Sequence, residues 1–259
     1  MFTEEDSRQA VCERHGDYTD KYIDYGPLGK RWTGCELCAD EQRKEKERLE
    51  KIEEDKVRRQ EWIEGRLKVS GIPKKFKTKT FGNFEPVNEK AKARKAAIME
   101  YVDLVCSGDH EGRSLIMVGK LGNGKTHLAC AMLSEMIRRT AMLGKYATFS
   151  EVVRRVKASW KNDSEESESG VYYSLSKPDV LVIDEVGMQN FTEFEQVVAY
   201  EVVNARYLEE KPTVIITNLA AKDLSSVMGE RVVDRLRENG GKALDFDWDS
   251  YRAGGKNDK

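Results

Sequence analysis

The chain has 259 residues, a net charge of -2, 39% hydrophobic and 35% charged side chains; that length holds one large domain, or a small module and a medium one, at ~100 to 150 residues per domain. No apolar run approaches the ~20 residues that cross a bilayer, which excludes a helical membrane protein. The start, MFTEEDSRQAVCERHGD, lacks both the basic opening and the apolar stretch of a secretory signal, so a cytoplasmic location is expected.

Residues 1–38 hold three of the five cysteines and several glycines, which reads as a small loop-rich module. Cys12-x2-His15 and Cys35-x2-Cys38 form two pairs separated by 19 residues. Each pair suits a tight knuckle that presents two ligands to one ion, and three thiolates with one imidazole form a closed tetrahedral set. A structural Zn²⁺ is therefore expected in a module too small to own a core. Cys106 and Cys130, on apolar helical faces, are expected to be inert core thiols.

Residues 39–69 are about two thirds charged up to Lys68, with both signs interleaved. A charged linker helix is expected, supported by i,i+4 pairs, either as a spacer or as a partner-binding surface. Ser70-Gly-Ile-Pro73 breaks it, because Pro73 lacks a donor and restricts its predecessor. A second domain is expected over 70–259. There, apolar β-rich runs at 114–118, 146–149, 180–183 and 213–217 alternate with helical periodicity at 126–139, 191–208 and 225–237, the pattern of a parallel sheet covered by helices. The acidic stretch 162–170 is expected to be a mobile surface loop.

Gly119-Lys-Leu-Gly122-Asn123-Gly124-Lys125-Thr126 fits G-x-x-x-x-G-K-[ST] between a strand and a helix that opens on His127. Its glycines let backbone N–H groups converge on phosphates, Lys125 adds a point charge, and Thr126 can ligate Mg²⁺. These residues are the expected ATP/ADP site. Farther on, Val180-Leu-Val-Ile ends in Asp184 and Glu185. Asp184 suits the Mg²⁺ shell and Glu185 the attacking water. Asn218, at the end of the run 213–217, suits sensing of the γ-phosphate or capping. Arg231 and Arg235 share a helix face and read either as ordinary surface or as an arginine finger. Arg252 lies in the late segment WDSYR.

GKLGNGKTHLA, LVIDEVG, ITN, GERVVDRLR and WDSYR together resemble the DnaC-type helicase loaders and the related DnaI and IstB-like ATPases of the AAA+ class, over residues 70–252. The resemblance implies an α/β fold with a parallel sheet ordered 5-1-4-3-2 and a weak ATPase that works as a switch. It makes Asn218 a sensor, Arg235 the arginine finger and Arg252 a second sensor. It also implies a single-stranded DNA path beside Arg154, Arg155, Lys157 and Trp160, faced by Thr192 and Phe194. The acids of 162–170 weigh against that path. The partners it implies are a replicative hexameric DNA helicase, held by the N-terminal region, and further copies of the chain in an open ring or spiral. An IstB-like transposition adaptor, binding duplex DNA and a transposase, is the alternative.

Overall fold

The computed structural model describes residues 3–161, 163–187 and 191–249, and the chain divides into two compact units, Met1–Glu61 and Trp62–Lys259. The first unit corrects the loop-rich expectation. Strands β1 (Thr3–Cys12), β2 (Gly16–Asp24) and β3 (Lys30–Trp32) form an antiparallel sheet in that order. Its stability rests on a polar-aromatic cluster instead of an apolar face, which is why no alternation announced it. The buried Asp20 carboxylate accepts from Arg8 Nη2 at 2.9 Å and from the Gly34 N–H at 2.8 Å. The same guanidinium lies 4.0 Å from the Trp32 ring centroid, and Tyr22 packs on the other aromatic at 5.2 Å. Helix α1 (Glu36–Val69) follows.

In the second unit, α1 contributes more than a linker: Ile63 is buried in the core and Leu67 packs against it. The helix stops where Gly71 adopts φ +78°, a left-handed conformation that glycine takes without Cβ strain. After α2 (Glu89–Ser107), capped by Asn88, come β4 (Leu115–Gly119), α3 (Lys125–Thr140), β5 (Gly144–Thr148), α4 (Phe149–Ser159), α5 (Glu168–Ser176) and β6 (Val180–Val186). Helix α6 (Glu193–Leu208), β7 (Thr213–Thr217), α7 (Leu224–Met228), α8 (Glu230–Arg237) and β8 (Lys242–Phe246) complete it. The helix expected over 225–237 is two helices, because Gly229 at φ +92° interrupts it.

The sheet is parallel and ordered β5-β6-β7-β4-β8. Counted within the domain and read from the other edge, that is 5-1-4-3-2, the order the resemblance implies. Period-two alternation sorts each strand between two cores. Leu115, Met117, Val180, Val182, Val214 and Ile216 face α2 and α3. Ile116, Val118, Leu181, Ile183 and Ile215 face α4 to α8.

At the opposite end of the strands from the phosphate loop, Arg206 is fully buried. Its guanidinium donates to Pro178 O and Pro212 O at 2.7 Å, to Leu175 O and to Thr213 Oγ1. Burial lowers its pKa to about 9, since carbonyl dipoles replace the lost hydration only in part. This cation ties the turns that enter β6 and β7.

Candidate active site

Strand β4 ends at Gly119, where φ is +136° and a Cβ would collide with the Phe246 carbonyl. The loop that follows wraps a cavity of about 430 Å³, lined by Gly122, Asn123, Gly124, Lys125, Thr126 and His127 together with Asp184, Glu185, Asn218 and Trp248. Gly124 is the N-cap of α3 at φ +85°, with no side chain bonded to the first-turn N–H groups. Those donors and the helix dipole favour an anion there. A Cβ on Gly124 would also meet the Phe84 ring at 2.6 Å, so the loop packs closely on the segment before α2.

Lys125 Nζ donates to Gly119 O at 2.5 Å and Lys120 O at 2.7 Å. Burial lowers its pKa to about 8, against an opposing pull from Asp184. A buried cation resting on carbonyl dipoles, beside uncapped helix N–H groups, fits the phosphates of ATP or ADP. Asn123 donates through Nδ2 to Phe246 O at 2.8 Å and to Trp248 O, joining the loop to the end of β8. His127 Nε2 lies 3.1 Å from Thr80 O and 3.0 Å from Asn83 Oδ1, so its ring also ties α3 to the Thr80–Asn83 turn.

Asp184 is buried near the end of β6, and its Oδ2 accepts from Thr126 Oγ1 and Tyr146 Oη, both at 2.8 Å. Its Oδ1 accepts from the Glu185 N–H at 2.7 Å. A hydroxyl and a carboxylate in contact at the mouth of the phosphate loop make a hard-oxygen pair that fits Mg²⁺. The β6–β7 register shifts between Ile183 and Val186, and Glu185 takes φ +61°. Such a bulge re-aims a side chain and stores strain; here it leaves Asp184 buried and turns Glu185 outward, exposed at the cavity. Asn218, directly after β7, reaches the same cavity.

Several predicted residues lie elsewhere. Arg235 is half-buried on α8 and does not line this cavity; its guanidinium carbon sits 4.6 Å from the Tyr207 ring and 5.6 Å from Tyr200. Arg231 is exposed on the same helix, and Arg252 lies outside the described residues. Trp160, the C-cap of α4, is exposed, packs 5.0 Å from Phe194 and donates its indole N–H to Glu168 Oε2 at 2.7 Å. Lys157 Nζ is 5.4 Å from the Phe194 ring, Arg154 is exposed on α4, and Thr192 caps α6 in a reciprocal box with Glu195. The acidic stretch beside them is not a mobile loop where it is described: Glu166 pairs with Arg155 at 2.7 Å, Ser167 caps α5, and residues 168–170 form that helix's first turn.

In the N-terminal unit the ligand atoms of Cys12, His15, Cys35 and Cys38 lie within 4.8 Å of one another. Cys12 and Cys38 sulfurs are 3.5 Å apart, and His15 Nδ1 is 3.3 to 3.6 Å from the three sulfurs. Tetrahedral zinc, with bonds of ~2.3 Å to sulfur and ~2.0 Å to nitrogen, needs edges of roughly 3.5 to 3.8 Å, so the cluster fits the ion. The backbone N–H groups of Arg14 and His15 lower the Cys12 pKa to about 6, whereas the contact with Cys12 pushes the Cys38 thiol up to about 11, so in the cluster without metal the thiolate sits on Cys12. Glu41 Oε1 stands 3.1 Å from His15 Nε2, a carboxylate that orients the ring from behind.

Sequence reasoning missed Tyr146, and also Phe76 and Lys79, which line the cavity from the segment before α2. A tyrosine in a strand gave no signal until β5 and β6 were in register, with Thr148 opposite Asp184.

A phosphate loop after the first strand of a 5-1-4-3-2 parallel sheet, with a carboxylate pair at the end of β6, separated from β4 by β7 alone, defines a P-loop ATPase domain of the AAA+ class. The chain belongs to the IstB-like ATP binding protein family, whose profile matches residues 34–258. It is similar to the replicative helicase loader DnaC of Buchnera aphidicola subsp. Acyrthosiphon pisum, 30% identical over 78% of this chain and 79% of that one. It is also similar to DnaC of Escherichia coli K12, 36% identical over 54% of this chain and 56% of that one. A crystal structure of the DnaC helicase loader superposes with a TM-score of 0.59 at 23% identity, covering 67% of this chain and 99% of that one.

Proposed function

We propose that the protein is an ATP-dependent loader of a replicative DNA helicase. The observation that carries the reading is the convergence of Lys125, Thr126, Asp184, Glu185 and Asn218 on one cavity, in a chain whose relatives are DnaC loaders. Lys125 and the first-turn N–H groups of α3 bind and orient the phosphates, while Thr126 and Asp184 would hold Mg²⁺. When bound, that ion neutralises charge on the β- and γ-oxygens. Glu185, turned outward by the bulge, orients and polarises the attacking water, and Asn218 contacts it or the γ-phosphate. Arg235, remote from its own cavity, serves a neighbouring copy's nucleotide in an open ring or spiral, and Arg252 acts as a second sensor. Hydrolysis is slow and acts as a switch.

In this reading residues 1–61, with Zn²⁺ at Cys12, His15, Cys35 and Cys38, grip the hexameric helicase. Arg154, Lys157, Trp160, Thr192 and Phe194 contact single-stranded DNA. The proximity of Lys157, Trp160 and Phe194 supports that assignment, because single strands bind where cations flank exposed rings. The family profile, that of an IstB-like ATP binding protein, leaves room for a second reading, an IstB-like transposition adaptor that would bind duplex DNA and a transposase. A pull-down against the replicative helicase, run beside anisotropy titrations of single-stranded and duplex oligonucleotides, separates the two. Helicase capture with single-strand preference supports the loader; duplex preference with no capture overturns it.

A further inference from the structure

The Tyr146 side chain is unlike its neighbours on β5. Its residue is buried on the α2–α3 face of the sheet, yet its hydroxyl reaches the end of β6 and donates to Asp184 Oδ2 at 2.8 Å. The oxygen that receives this bond also accepts from Thr126, so two hydroxyls fix one carboxylate oxygen while the Glu185 N–H fixes the other. A carboxylate on a short side chain rotates about two bonds. With three donors its orientation is set before any cation arrives, and pre-set ligands bind with less loss of rotamer freedom.

The tyrosine is itself held from outside the sheet. Strand β5 is an edge strand, and at Tyr146 its outer side is closed by the residues that follow α1. The Tyr146 N–H donates to Ser70 O at 2.7 Å. Ser70 is buried and its hydroxyl donates to Leu67 O at 2.8 Å. Gly71, at φ +78°, lies so close to the Tyr146 carbonyl that a Cβ there would overlap it. The end of α1, the Ser70–Gly71 segment, Tyr146 and Asp184 therefore form one continuous hydrogen-bonded series.

We propose that Tyr146 is a positioning residue that orients Asp184 for the divalent cation of the nucleotide site, and that the Ser70–Gly71 segment clamps Tyr146 in place. This rests on the nucleotide-site reading above. Tyr146 is not among the residues that line the cavity; it acts through Asp184, so its removal affects the cation's contribution to binding and not the phosphate loop's own.

The test is a titration of the full-length protein with a fluorescent ATP analogue, in EDTA and across a Mg²⁺ series, for wild type and Tyr146→Phe. The Mg²⁺ concentration for half-maximal effect should rise roughly tenfold in the variant, the scale of one lost hydrogen bond to a charged acceptor, while affinity in EDTA changes less than about twofold. In an Asp184→Asn background Tyr146→Phe should have no further effect on Mg²⁺ dependence, because the coupling runs through that carboxylate. Gly71→Ala, which leaves the tyrosine in place but presses on its carbonyl, should shift the Mg²⁺ dependence in the same direction. Equal loss in EDTA and in Mg²⁺ would reduce Tyr146 to a folding residue and overturn the proposal. An unchanged Mg²⁺ midpoint would overturn it too. Failure of the underlying reading looks different: wild type would then bind the analogue no better than Lys125→Ala.

Discussion

Lys125 offers a test that begins with the unmutated protein. Its ammonium is buried against two carbonyls, and that desolvation lowers its pKa to about 8. At pH 8 about half of nucleotide-free molecules would carry it neutral, and at pH 7 about a tenth. Phosphate oxygens placed beside it favour the charged form, so binding must draw in a proton. The expected uptake is about 0.5 proton per nucleotide at pH 8 and about 0.1 at pH 7. At pH 8 the nucleotide's terminal phosphate, with a last ionisation near ~6, contributes little of its own. Isothermal calorimetry in two buffers of different ionisation enthalpy gives the proton count as a slope. Lys125→Arg should abolish the uptake, since a guanidinium stays protonated. A zero slope for wild type at pH 8, or the same slope in Lys125→Arg, would refute the reasoning. The sign for stability follows from the same shift. The folded state favours the neutral amine, so this group costs the nucleotide-free protein stability below about pH 8, and the cost fades as pH rises from about 8 towards the ordinary lysine value of 10.5.

Purified protein should contain about one zinc per chain, and Cys35→Ser should lose it and loosen the β1–β2–β3 unit while leaving nucleotide affinity unchanged; metal analysis with hydrogen exchange reads both. Glu185→Gln should keep ATP binding but lower turnover by ~10²-fold or more, the scale of losing a positioned base; wild-type turnover would remove Glu185 from that role. Arg206→Met strands several buried carbonyls, each costing ~1 to 3 kcal/mol, so denaturant unfolding should show a loss of about 3 kcal/mol or more. Arg206→Lys should recover only part of it, because an ammonium has three donors against five.

What was legible in the chain follows from how local each signal is. The phosphate loop and the Asp184–Glu185 pair are contiguous, and each sits against an apolar run that can only be a buried strand. The Cys–His pairs are short spacings whose convergence needs a single β-hairpin. The antiparallel sheet was invisible because Asp20, Arg8 and Trp32 stabilise it where an alternating apolar face would have been read. Strand β8, with exposed Lys242, Ala243 and Asp245 and only Leu244 and Phe246 buried, is too short and polar to declare itself. Tyr146 is 38 residues from Asp184, and only the sheet register brings them together.

The acids beside the expected DNA path carry the sharpest conflict between sequence and chemistry. Read as a free loop, Asp163, Glu165, Glu166 and Glu168 would repel phosphates. In the fold Glu166 is paired with Arg155 and Glu168 accepts from the Trp160 indole, while the Trp160 ring stays exposed 5.0 Å from Phe194, whose ring Lys157 Nζ approaches at 5.4 Å. If single strands stack on Trp160, Trp160→Ala should weaken them by roughly 10- to 100-fold, from ~1 to 3 kcal/mol per stacked base. Glu168→Gln keeps an acceptor for the indole but removes a charge, and at an exposed site that relieves at most ~1 kcal/mol of repulsion, so affinity should rise roughly threefold at low salt. The gain should vanish at high ionic strength, where screening acts over ~3 Å, whereas the Trp160→Ala loss should persist. Anisotropy of a labelled oligonucleotide at two salt concentrations distinguishes these outcomes. Unchanged single-strand affinity in Trp160→Ala would show that DNA runs elsewhere and that the Trp160–Glu168 contact serves α4 and α5 alone.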